Sequence, residues 1–240
     1  MMGACQRGSP MMDLMLIAGA MFLVTHLGVS STALRGWFVG RLGERGYLGF
    51  YSLLAFVTLG FMIWLYGNLP RHEYFWLPDP ALYQLTKFVM PVAMILLLGG
   101  FLVRNPTAVG MEGSLAAAGS AANMARGVNR ITRHPVQWSI VLWAAAHLAA
   151  NGDQVSVAFF GTFLVLGLAG GALIDRKKAA KLGVDWAPFA AVTSNVPFAA
   201  IVGGRNRLVL KELIGPVAVG LVGYGLVYWS HRWIAGVAVP

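Results

Sequence analysis

Two of the five histidines in this 240-residue chain, His26 and His147, fall well inside apolar runs. A polar imidazole at that depth is expensive, so it needs a hydrogen-bond partner, a metal or a part in a proton relay. Either histidine alone reads equally well as a packing residue bonded to a neighbouring Ser, Thr or carbonyl. Together they point to ligation. Two neutral imidazoles are the ligand set of a b-type haem, which needs no covalent cysteine; the sequence has no CxxCH, and its single cysteine, Cys5, lies in the polar N-terminal tail. Zinc would want further Cys, His or carboxylate ligands at the same depth, whereas the acidic residues stand near helix ends or in loops.

The densest polar cluster is Arg130-Ile-Thr-Arg133-His134-Pro135, followed by Trp138, Trp143, His147 and Asn151-Gly152-Asp153. Arg133 and His134 stand at the start of a helix, where a cation and the helix N-terminus both favour an anionic group such as a phosphate or carboxylate. A haem propionate would satisfy them, with Arg35 or Arg130 as a second partner. By charge alone the segment reads as an interfacial basic anchor, with the tryptophans in the membrane belt. His72 and Glu73 beside Tyr74 and Trp76, and His231 beside Arg232, read as interfacial. Asp175-Arg176-Lys177-Lys178 reads as a charged stop with internal ion pairing. No P-loop, nucleophile elbow or HExxH occurs.

These residues need membrane helices to position them. The chain is 58% hydrophobic and 11% charged, too few charges for a water-facing domain of this size, and its mean hydropathy is +0.67. Apolar runs long enough to span lie at roughly 13–33, 47–67, 84–103, 135–151, 155–174 and 212–231. The expectation is an all-α, polytopic integral membrane bundle of about six transmembrane helices, forming one domain over 13–240 behind a tail at 1–12. Glycines such as Gly167, Gly170, Gly171, Gly215, Gly220, Gly223 and Gly225 would let helices approach closely in lipid. The segment 187–202 is apolar but short and broken by Pro188 and Pro197; it reads as re-entrant or interfacial. Residues 107–125, rich in Ala, Gly and Ser, read as a mobile inner loop. A cleaved signal peptide is the alternative for the first run, disfavoured by its span length and by the three arginines after it.

With both termini outside, the loops 34–46, 104–133 and 175–211 hold 14 of the 18 Lys and Arg, as the excess of positive charge in cytoplasmic loops requires. The formal charge of +9 therefore faces anionic lipid headgroups and implies no nucleic-acid partner.

The combination His26-Leu-Gly-Val-Ser-Ser31 with Arg35, then Arg41-Leu-Gly-Glu44 and Tyr47, then Arg133-His134-Pro135 and Leu142-Trp143-Ala-Ala-Ala-His147-Leu-Ala-Ala-Asn151-Gly152-Asp153, resembles the NnrU family from about residue 13 to 180. That resemblance implies a bacterial inner-membrane, multi-pass protein linked with nitric oxide and nitrite reduction. The plant zeta-carotene isomerases are similar to this family. Their likeness implies a b-type haem with His26 and His147 as ligands, and a haem-dependent isomerase or oxidoreductase-like activity on a small or lipid-like substrate. Where the plant enzymes have a cysteine three residues before the second histidine, this chain has Ala144, which argues against ligand switching of that kind.

Arg133-His134-Pro135 also resembles the ArgHisPro motif that isoprenylcysteine carboxyl methyltransferases use to hold S-adenosylmethionine, although Gln137 and Ser139 stand where that motif has Tyr and Gly. Methyl transfer is therefore the alternative function, and a non-catalytic assembly or transport role is the third.

Overall fold

A computed structural model of the chain describes residues 10–29, 33–108, 111, 113 and 125–239. Most of the expected loop at 107–125, together with Cys5 and Ser31, lies outside the described residues. Among the described residues the regular structure is helical, apart from one isolated β-bridge between Tyr74 and Asp153.

In chain order the helices are α1 (Pro10–Leu23), continued by a π-helical turn at Val24–Val29, α2 (Ala33–Asn68), α3 (Pro80–Leu102), α4 (Pro135–Ala150), α5 (Gln154–Leu182), α6 (Trp186–Val192), α7 (Ala199–Val202) and α8 (Ile214–Ala235). Among the described residues, five stretches are long and apolar enough to cross a membrane: Pro10–Val29, Leu34–Asn68, Pro80–Leu102, Gln154–Val192 and Leu210–Ala235. The protein is a multi-pass helical membrane protein. The expected fourth span is α4, whose 16 residues rise about 24 Å, short of a ~30 Å hydrocarbon core. Residues 187–202 do not form a continuous span: α6 and α7 are separated by an extended turn in which Phe198 takes a left-handed φ of 64°.

The expected inner loop at 34–46 is a correction. It is helical up to Gly43, whose φ of 70° and ψ of 167° break α2 into two rods. Only glycine adopts that conformation without strain. As one rod, the 36 residues of α2 would measure about 54 Å; the break leaves 44–68 as the rod of spanning length.

The chain forms two compact units, each discontinuous in sequence: unit 1 is Met1–Asp79 with His147–Leu166, and unit 2 is Pro80–Ala146 with Gly167–Pro240. In unit 1, α1 packs on α2, and a Cβ on Gly19 would stand 2.3 Å from Thr162 Oγ1 of α5. In unit 2, α3 packs along α8. There a Cβ on Gly220 would meet Ile95 Cα at 2.5 Å, and one on Gly223 would meet Leu98 Cδ1 at 2.4 Å. Gly167 and Gly171 likewise abut Val141 and Asn195, whereas Gly215 and Gly225 have nothing within 4 Å. Small residues mark some helix contacts in lipid and simply decorate others.

Candidate functional site

His26 sits in the π-turn that extends α1, a local unwinding that recurs at functional sites. Its Nδ1 lies 2.9 Å from the Phe22 carbonyl. A carbonyl only accepts, so Nδ1 donates, and in the neutral ring the lone pair then belongs to Nε2. The imidazole is packed at 3.9 Å against the Phe22 ring and edge-on to Tyr51 at 6.1 Å.

His147 occupies the last turn of α4. Its backbone carbonyl accepts from both the N–H and the side-chain Nδ2 of Asn151, at 2.9 and 2.8 Å. Asn151 thereby closes the helix that carries the histidine. Asp153 opens the next helix, its Oδ1 accepting from Ser156 N at 2.9 Å, the N-cap bond that a carboxylate makes. Between them, Gly152 admits the backbone of Trp76, and Phe75 N–H donates to Gly152 O while Gln154 N–H donates to Glu73 O. The indole of Trp76 donates to Ala149 O at 2.9 Å. The AsnGlyAsp stretch is thus a structural clasp around the turn after His147.

Unit 1 holds both histidines. From His26 a succession of ring contacts runs through Phe22, Phe163, Phe159 and Phe160 to His147, with centroid separations of 3.9, 5.3, 5.1, 5.2 and 5.1 Å. Tyr66 stacks on Phe159 at 4.3 Å. Two imidazoles in an apolar aromatic setting, one of them with its Nδ1 bonded to a backbone carbonyl, are the donor set that a b-type haem would take. No group of three or more His, Cys, Asp or Glu that could hold a metal occurs among the described residues, so a zinc-type cluster has no ligand set there.

The other expected site residues stand elsewhere. Arg133 and His134 are in unit 2, where both engage Asp175 of α5. Arg133 Nη2 and Nε reach the carboxylate at 2.7–3.0 Å, and Nη1 donates to Thr193 O at 3.0 Å. His134, fully buried, donates from Nε2 to Asp175 Oδ1 at 2.7 Å, and its Nδ1 has no partner among the described residues. Arg130 is forked onto Glu212 and also bonds Asn206. Arg35, in unit 1, pairs with Glu44 and lies over the Tyr47 ring. Each arginine expected to meet a propionate thus has a protein carboxylate for a partner. His72 lines a small surface cavity with Arg71, Glu73 and Gln154, and His231 bonds Val237 O.

Asp175, read from the sequence as part of a charged stop paired with its own basic neighbours, instead pairs with Arg133 and His134, and Glu212 was left without a role. The signal for Asp175 was its place, alone and acidic, at the head of a basic run. Nothing in the spacing linked Glu212 to Arg130, 82 residues away.

Helices of membrane-spanning length define a class, a polytopic helical membrane protein, and one of its two units carries two half-buried histidines. The NnrU profile matches residues 14–239, and the chain belongs to the NnrU family. It is also similar to the chloroplastic 15-cis-zeta-carotene isomerases of Zea mays and Arabidopsis thaliana, at 37% and 35% identity over 82 residues. Those 82 residues are 34% of this chain and 22% of either relative, so the chain matches about a fifth of their length. No solved structure matches.

Proposed function

We propose that this NnrU-family protein of the bacterial inner membrane binds b-type haem through His26 and His147 and acts in, or supports, nitric oxide metabolism. The observation that carries the reading is the His26 Nδ1 to Phe22 carbonyl bond at 2.9 Å. It orients the ring and assigns its lone pair to Nε2, as the outer partner of a metal-bound histidine does. When bound, haem would supply one-electron chemistry and an affinity for small diatomic ligands. The chain's own part is to fix both imidazoles, to surround them with Phe22, Phe159, Phe160 and Phe163, and to keep water away from them. The nitric oxide assignment rests on the family.

The names of the two plant relatives favour a second reading, in which the same site supports cis–trans isomerisation of a lipid-like polyene. Arg133 and His134 lend methyl transfer less support, since Asp175 already holds both side chains.

A visible spectrum of the detergent-purified protein decides the central claim. A Soret band with low-spin six-coordinate features is expected. Protein reconstituted with excess haemin that shows no such band overturns the reading.

A further inference from the structure

The break at Gly43 does more than shorten a span. It sets the residues from Leu34 to Leu42 off from the membrane-spanning rod at 44–68, and several contacts hold this short rod in place. Phe38 stacks on Phe50 at 5.0 Å, across the break. Arg35 reaches Glu44 and lies 5.3 Å over the Tyr47 ring. All three contacts fall within unit 1, and the ion pair with Arg35 takes Glu44, the acidic residue nearest the break.

What these contacts leave outward is specific in kind. Leu34, Trp37 and Leu42 are 50%, 51% and 48% exposed, and at i, i+3 and i+8 they lie along one side of the rod. Arg41 and Arg45, also exposed, flank the break. Arg41 places its guanidinium 4.3 Å over the Trp37 ring, and neither arginine meets a carboxylate among the described residues. The surface thus pairs a tryptophan and two leucines with two uncompensated guanidiniums. Tryptophan prefers the boundary between headgroup and acyl chain, and guanidinium matches phosphate oxygens two at a time.

We propose that the 34–45 arm is a binding site for the headgroup of an anionic phospholipid, with Arg41 and Arg45 on the phosphate and Leu34, Trp37 and Leu42 set into the boundary below it. Charge complementarity selects the occupant. A zwitterionic lipid would bring a positive group against the same two arginines.

The test uses the full-length protein in phosphatidylcholine nanodiscs doped with spin-labelled phosphatidylglycerol or spin-labelled phosphatidylcholine, reading the fraction of label immobilised by the protein. The wild type should hold phosphatidylglycerol about five-fold more strongly than phosphatidylcholine, the order expected for a basic residue near an anionic surface. That preference should shrink as salt is raised. R41Q/R45Q should bring the ratio close to one, R41K/R45K should keep much of it, and R232Q, at the far end of α8, should leave it intact. Should the double variant not fold, R41Q and R45Q singly should each lower the ratio part of the way. A wild-type ratio in R41Q/R45Q, or in both single variants, overturns the assignment. So does displacement of the immobilised lipid by millimolar inorganic phosphate, which would make free phosphate the ligand.

Discussion

The backbone of Trp76 lies so close to Gly152 that a Cβ at residue 152 would stand 1.9 Å from the Trp76 carbonyl oxygen and 2.7 Å from its ring. The loop before α3 is thereby strapped to the turn after His147, and backbone atoms cannot move aside as a flexible side chain can. Gly152→Ala should cost about 1–3 kcal/mol, the usual range for overpacking, read as a lower melting temperature in detergent. A variant as stable as the wild type would mean that the strap is loose.

Haem ligation gives the sharpest spectroscopic expectation. His26→Ala or His147→Ala should abolish the low-spin six-coordinate spectrum, while His72→Ala and His231→Ala leave it unchanged. Retention of wild-type haem content and spectrum by the variant lacking both His26 and His147 would refute the site.

Asp175 accepts from Arg133 and His134 together, and its side chain is 21% exposed against 15% and 0% for its partners. Removing its charge strands an arginine and a histidine in a largely dry place, so Asp175→Asn should destabilise by about 3 kcal/mol. The Arg35–Glu44 pair is 38% and 54% exposed, and Glu44→Gln should change stability by less than about 1 kcal/mol. Denaturation of both variants in one detergent makes the comparison; equal losses would show that burial does not set the difference. If Arg133 serves only this ion cluster, Asp175→Asn should also leave any haem spectrum unshifted.

Orientation follows from charge. Reporter fusions after Gly183 and after Arg207 should both read cytoplasmic, because the segment between them carries two short helices and a turn instead of a span. A periplasmic signal at the second would make 187–202 cross the membrane.

Much of this architecture was legible because lipid imposes simple rules. Length and apolarity alone place α1, α3, α5 and α8, and a non-spanning 187–202 followed from its prolines and from the basic residues on both sides. The break in α2 was read as a loop because arginines and glycines at 35–46 resemble one; the distinction rests on a single backbone torsion at Gly43, which composition does not encode. His26 and His147 stood out by the cost of burying them. The partners of Arg130, Arg133 and His134 did not, since ion pairs spanning 42 and 82 residues arise from tertiary packing and leave no local pattern. Gly152 looked like turn punctuation, and only Trp76, from another segment, shows why a side chain is excluded there.

The clasp at Asn151, Gly152 and Asp153 also bears on biosynthesis. α4 is too short to settle across a bilayer unaided, yet it is joined to α5 by a three-residue turn. Gly161 meets Leu148 within unit 1, and Gly167 meets Val141 within unit 2. The two helices should therefore leave the translocon as one hairpin, with the fate of α4 decided only after α5 has been translated. In chains truncated at Ala150, cysteines placed in α4 should react with a membrane-impermeant maleimide, whereas in chains extended through Leu182 they should be protected.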